Sequence, residues 1–228
     1  MNESAESQRV IRVYQARKSL PSDRYHVDKI DVVHREKELE LAIQSILPSL
    51  RNKTFLEVGC GSGSRLAQFI SRGADPAKMT GIDIVPSLLN QARIVLPSAV
   101  TLETCCGSRL PFEHQSFDVV MQFTMFSSVI DRWLRKEIAL EMRRVLKQNG
   151  LILSYDMRVN NPWNKDIRGV GKKEIRSLFP GCEFDFRRLS LCAPLARKLA
   201  KWPKILQGCQ AMKIFDSHYL VMIRRWAS

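Results

Sequence analysis

The sequence holds no uninterrupted apolar run near the about 18 residues that a membrane-crossing helix needs, so no transmembrane segment is expected. Its opening, MNESAESQRV, lacks the apolar core of a signal peptide, which points to a cytoplasmic protein. The six cysteines, at 60, 105, 106, 182, 192 and 209, never show the paired C-x-x-C spacing of a zinc site, and no metal is expected. A reducing compartment argues against disulfides, so buried free thiols are the expectation, with a soft-metalloid site at Cys105-Cys106 as the alternative. Repeats and low-complexity segments are missing. Acidic residues are scarce in one region: from Met157 onward fifteen Lys/Arg face five Asp/Glu, whereas the first 156 residues carry 21 against 18. The net charge of +13 therefore belongs mostly to the C-terminal third. It calls for an anionic neighbour there (a phosphorylated small molecule, a nucleic acid or a membrane surface) or is solvated surface charge.

What is present fits one α/β domain: 228 residues, 45% apolar and 26% charged. Residues 1–50 read as helical, with Val32, Leu39, Ile43, Ile46 and Leu50 at three- and four-residue steps. β-rich runs follow at 54–59, 79–84, 100–105, 117–123 and 151–157. Helical patterns at 64–71, 86–96 and 131–147 separate most of them, the last with Asn149-Gly150 as its stop. This rhythm predicts a Rossmann-like, doubly wound and mostly parallel sheet of seven strands. After Met157 the pattern gives a helix at 172–179, a strand CEFDFRRLSL, a cationic helix at 194–208 and a last strand near HYLVMIRR, hence an antiparallel C-terminal edge strand.

The run LEVGCGSGSRL places Gly59, Gly61 and Gly63 between a strand and a helix, where glycine permits a tight turn and close backbone approach to a ligand. A dinucleotide fingerprint would require a glycine at Ser64, so an NAD enzyme is disfavoured. Asp83, twenty residues after Gly63, ends the second strand, where a carboxylate can accept both ribose hydroxyls.

LEVGCGSG, GIDIVPSLLNQAR, LPFEHQSFDVV and EMRRVLKQNGLILS stand in the order and spacing of class I S-adenosylmethionine-dependent methyltransferases, and the chain resembles their type 11 group, which includes the ubiquinone/menaquinone C-methyltransferases. The resemblance covers residues 54–157 and implies S-adenosylmethionine as cofactor, with S-adenosylhomocysteine as product. It implies that Glu57 and the Gly59, Gly61 and Gly63 backbone hold the methionine portion, that Asp83 takes the ribose hydroxyls, and that Ile84 packs on the adenine. The family's aspartate before LPF is replaced here by CCGSRLPF, leaving Cys106, Gly107 and Ser108 for the adenine amino group. Gln122 and Phe123 would face the sulfur and the methionine arm. Tyr14, Arg17 and Tyr25 resemble the Y-x-x-R and following tyrosine of a lid over cofactor and acceptor, so residues 1–50 form an N-terminal lid or extension and 51–228 the methyltransferase domain. An amphipathic docking helix without that role is the alternative.

For the acceptor, NNPW (Asn160 to Trp163) approximates the Asn-Pro-Pro-aromatic tetrad of nucleic-acid amino methyltransferases, but it lacks the second-position proline and follows strand five rather than four. YDMRVNNPWNKDIRG instead resembles a type 11 subset found among bacterial glycan genes, which implies that Asp156, Arg158, Asn160, Asn161 and Trp163 line the acceptor wall of the basic region 157–215. Amides and an aromatic face suit a sugar ring, and arginine suits a phosphate or carboxylate. The histidines that many relatives carry after strand four are Ser127 and Ser128 here, so His26, His114 and Asp156 remain as bases and none is assigned. The expectation is methylation on oxygen, or second nitrogen, of a small-molecule or glycan acceptor, anionic or lipid-linked, with peripheral membrane contact open to the cationic helix. An RNA-directed methyltransferase and a non-catalytic binding protein are the alternatives.

Overall fold

The computed structural model describes residues 5–18, 30–161, 164–192, 202, 208, 213 and 215–226. Its centre is a sheet of seven strands: β1 (Phe55–Val58), β2 (Met79–Asp83), β3 (Thr101–Thr104), β4 (Phe117–Phe123), β5 (Leu146–Met157), β6 (Cys182–Leu191) and β7 (Asp216–Arg225). They lie in the order β3-β2-β1-β4-β5-β7-β6. The first five are mutually parallel, and β7 runs antiparallel to both β5 and β6. The antiparallel C-terminal strand thus lies one place in from the margin, with β6 outside it. The order reverses between β1 and β4, so their C-terminal ends open a crevice there.

All four residues of β1 are buried, as a strand covered on both faces requires. One face packs Leu56, Val58, Val120 and Ile152 against Ile138 and Met142 of α6 (Arg132–Val145) and Ile175 of α7 (Lys172–Leu178). The other packs Phe55, Met121, Leu153 and Tyr155 against α2 (Ile30–Ile46), α3 (Ser64–Ser71) and α4 (Pro86–Val95). Leu39 and Ile43, one turn apart on α2, are fully buried, which is the purpose of the helical periodicity read in that segment. Phe69 of α3 meets Phe55 edge to face at 5.5 Å. Truncating such a ring to alanine costs about 3–5 kcal/mol.

The helix expected over 131–147 ends at Val145, and β5 begins at once with Leu146 beside Phe117. Asn149-Gly150 is therefore no helix stop. A side chain at Gly150 would meet Leu146 at 2.7 Å and the Asp118 carbonyl at 3.0 Å, so glycine lets β5 pass close to β4 where their register shifts. The expected cationic helix at 194–208 lies almost wholly outside the described residues. Among the described residues no helix is long and apolar enough to cross a membrane.

Candidate functional site

Gly59, Gly61 and Gly63 join β1 to α3 with φ of 77°, 55° and 82°, a left-handed run open to glycine at little cost. The Gly59 and Cys60 N–H groups both donate to the Ile82 carbonyl, at 2.8 and 2.9 Å, so the turn is tied to the end of β2. A side chain at Gly59 would strike Met125, and one at Gly63 would strike Leu96, each at 2.6 Å. Gly61 differs, because no atom lies within 4 Å of where its Cβ would stand. The first and third glycines serve packing, and the middle one faces open space.

Two acids flank this opening. Asp83 is buried, and its carboxylate accepts from Gly61 N and Val85 N, both at 2.8 Å. Burial raises its pKa above the usual carboxylate range against the pull of those N–H groups. Glu57 is 2% exposed, and its Oε2 has no hydrogen-bond partner. Burial pushes Glu57 up to about 8, the Arg65 guanidinium opposes the rise, and Asp83 adds to it. A buried carboxyl oxygen without a donor is costly unless a ligand supplies one.

Beyond Ile84, which is half-buried, Cys106 Sγ lies 3.2 Å from Ser108 Oγ and 3.8 Å from Ser7 Oγ of α1 (Ala5–Lys18). Gly107 is tight against Val58, where a Cβ would sit at 2.9 Å. At the end of β4, Gln122 is fully buried and points into the α6 side. Its Nε2 donates to Ser154 Oγ at 2.7 Å and its Oε1 accepts from Met125 N at 2.9 Å, which caps α5 (Met125–Ser128). Phe123 takes the opposite face, where the Arg65 guanidinium lies 4.7 Å from its ring centre and bonds Glu36 of α2 at 2.8 Å.

The segment after β4 gathers contacts from three sides. Tyr14 Oη is 3.0 Å from Ser128 Oγ, Arg9 donates to the Ser128 carbonyl at 2.6 Å, and Glu6 accepts from Ile130 N at 2.5 Å. Ile130 N and Asp131 N, which both face Glu6, precede the first turn of α6, a place that favours an acid; against its partial burial, Arg9 and these N–H groups hold Glu6 below the usual carboxylate range. From beneath, Asp156 Oδ2 accepts from Ser127 N at 3.0 Å. Burial raises Asp156 to about 6, against hydrogen bonds from Ser127 and Met157 and the charge of Arg135. From the side, Arg168 N donates to the Ser127 carbonyl at 2.8 Å. Arg135, fully buried, fastens the assembly: Nε to the Val129 carbonyl, a second nitrogen to Glu174 at 2.7 Å and the third to the Arg168 carbonyl at 3.0 Å.

The loop after β5 closes on itself. Asn160 Oδ1 accepts from Gly169 N at 2.9 Å, the Asn161 carbonyl accepts from Asn164 N, and Val170 N returns to the Met157 carbonyl at 2.7 Å. Arg158 Nε donates to the Asp216 carbonyl at 2.5 Å. Of the other expected residues, Tyr25, His26 and Trp163 lie outside the described residues, as does the Arg17 side chain. His114 is exposed on the connection before β4, near Glu141 of α6.

Residues 55–150 match the family described as the methyltransferase domain. Over these residues the chain carries a methyltransferase domain. It is similar to phthiotriol/phenolphthiotriol dimycocerosates methyltransferase 1 of Mycobacterium ulcerans, at 33% identity over 68% of this chain and 54% of that protein. It is also similar to the malonyl-[acyl-carrier protein] O-methyltransferase of Herminiimonas arsenicoxydans, at 30% identity over 52% of this chain and 42% of that protein. The chain thus spans about half the length of these relatives. Among solved structures, the PH0226 protein of Pyrococcus horikoshii superposes with a TM-score of 0.67 at 15% identity, covering 92% of this chain and 98% of that one.

The methyltransferase domain's own residues fit its cofactor. S-adenosylmethionine carries an ammonium, which suits the unpartnered oxygen of Glu57, and two ribose hydroxyls, which suit Asp83. Gly61, whose N–H bonds Asp83, has open space where a Cβ would project. Sequence reasoning missed the Glu6–Arg9 clasp on residues 128–131 and the buried Arg135. The i,i+3 acid–base pair in AESQR was a signal for the first, and for the second the signal was helical spacing, since Ile138, Ala139 and Met142 follow Arg135 at three, four and seven residues on one face of α6.

Proposed function

We propose that this protein transfers the methyl group of S-adenosylmethionine to an oxygen of a small acceptor, carried on a lipid, an acyl chain or a glycan. The reading rests above all on Glu57: a buried carboxyl with an orphaned oxygen, beside an open left-handed glycine and a second buried acid. The cofactor supplies a methyl group activated by a positive sulfur. The protein contributes alignment and exclusion of water. Glu57 and Asp83 hold the methionine and ribose portions of the donor, and α1 lies over the adenine side at Cys106 and over the acceptor side at Ser128. Asp156 acts as a positioning residue, because its Oδ2 accepts from Ser127 N and holds the turn there, while its Oδ1 accepts from Met157 N. The acceptor would enter between this turn and the loop from Arg158 to Gly169. Support for the acceptor class comes from the named relatives, one acting on dimycocerosates and one an O-methyltransferase of an acyl-carrier-bound malonyl group.

The test is to incubate purified protein and methyl-labelled cofactor with separated lipid, soluble and nucleic-acid fractions of a cell extract. Label should enter the lipid or soluble fraction with wild-type protein and not with Asp83→Ala. Label confined to nucleic acid, or equal labelling by the variant, would overturn the reading.

A further inference from the structure

The face of the sheet at its β6 margin carries three rings roofed by cations. Lys172 Nζ lies 5.0 Å from the centre of Phe186 and 5.5 Å from that of Tyr219. The Arg176 guanidinium lies 5.3 Å from Phe186 and 6.0 Å from Phe184, and that of Arg158 lies 5.8 Å from Tyr219. Arg188 is exposed and pairs with Tyr219 in the β6–β7 register, so it shares this face. Glu174, the acid of α7, turns inward to Arg135 at 2.7 Å and Arg168 at 3.9 Å. Lys172 and Arg176, one turn apart on that helix and both exposed, are left as outward positive charge. The rings hold their alkyl stems and heads in place, so these cations are gathered before any partner arrives.

An exposed apolar side chain stands next to this cluster: Phe215, just before β7, is 45% exposed. Cys192 N donates to the Phe215 carbonyl at 3.0 Å, which continues the β6–β7 pairing, and Phe215 lies an even number of residues from Tyr219, so the two share a face. This is the end of the sheet where the proposed acceptor enters. Ordered cations beside an exposed aromatic tip are the composition of an interfacial membrane contact.

We infer that this surface rests on an anionic lipid bilayer, with lipid phosphates on Lys172, Arg176 and Arg188 and with Phe215 at the headgroup boundary. The inference deepens the proposed function, on which it rests for the acceptor, by naming the acceptor as a molecule held in the membrane interface. Single-stranded RNA is the less suitable polyanion, since its recognition stacks bases on open aromatic faces. Here Tyr219 is buried and the two phenylalanine rings are already roofed by Lys172 and Arg176.

The full chain is tested by co-sedimentation with vesicles of phosphatidylcholine alone and of phosphatidylcholine mixed with phosphatidylglycerol, across a salt series. Binding is expected to the mixed vesicles and not to phosphatidylcholine alone, weakening as salt rises. The triple variant Lys172→Ala/Arg176→Ala/Arg188→Ala should bind about a hundredfold more weakly, at about fivefold per cation. Its cofactor affinity, measured separately by titration, should equal that of wild type, which shows that the variant is folded. Equal binding to both vesicle types, binding to neither, or full binding by the triple variant would each overturn the inference. An RNA oligonucleotide bound more tightly than the anionic vesicles would overturn it in favour of nucleic acid. Vesicle binding by a protein that binds no cofactor would leave this surface standing and remove the proposed function.

Discussion

Binding of S-adenosylmethionine should expel a proton from Glu57. In the unliganded protein burial holds this carboxyl at about 8, above its ordinary 4.5. At pH 7 a group with that pKa is about nine-tenths protonated. An ammonium against Oε2 favours the carboxylate and draws the pKa back down, so binding near pH 7 should release about 0.9 proton per site. The sign follows from competition. Affinity should rise with pH up to about 8, by about tenfold per unit across the range in which free Glu57 is protonated and bound Glu57 is not. Calorimetric titration in buffers of different ionisation enthalpy measures the released proton directly. Glu57→Gln should abolish the release and flatten the pH dependence, as well as weakening binding. A wild-type protein that binds the cofactor without proton release, or a Glu57→Gln variant that still releases it, would refute the reasoning. The same shift has a consequence for the unliganded fold. The unfolded chain loses the Glu57 proton near pH 4.5 and the folded chain only near 8, so stability falls as pH rises between them, by an upper figure on the order of 5 kcal/mol.

Gly61→Ala should lower cofactor affinity with a stability loss of about 1–2 kcal/mol, because the added methyl meets empty ligand space at φ 55°; Gly63→Ala should destabilise more, because its methyl strikes Leu96, and paired titration and denaturant melts separate the two. Arg135→Met should cost about 3–5 kcal/mol in chemical denaturation by stranding the part-buried Glu174, and Arg135→Met/Glu174→Gln should recover part of it; a cost under 1 kcal/mol would contradict the bracing role. Tyr14→Phe should cost about 1 kcal/mol of α1 docking, read as faster amide exchange in α1 at unchanged global stability. Asn160→Ala, which releases Gly169 N, should raise the acceptor KM while leaving cofactor affinity intact, and loss of cofactor binding would show that the loop lies elsewhere.

The parallel core and the helices over 64–71 and 86–95 were legible because their signals are local: alternation, a glycine turn and a proline at the first helical position. The start of β5 was not, since Leu146 to Gly150 reads locally as a helix end, and the glycine is explained by the Leu146 side chain and the Asp118 carbonyl packed against it. In the site, Glu57 and Asp83 were marked by their spacing from the glycines. Gln122 was placed beside the cofactor by its position in the chain, while its carboxamide is engaged by Ser154 and the α5 cap, a relation that depends on residues 32 positions away. The Glu6 clasp spans 124 residues, and Arg135 reaches Glu174 39 residues on. Such tertiary contacts leave no periodic trace in sequence.

The most direct test is calorimetric titration of the purified chain with S-adenosylmethionine and S-adenosylhomocysteine, in wild type and in Asp83→Ala. Saturable binding of both ligands at one site, lost or greatly weakened in the variant, is the predicted result. Wild-type protein that binds neither ligand, or a variant that binds both as well as wild type does, would contradict it.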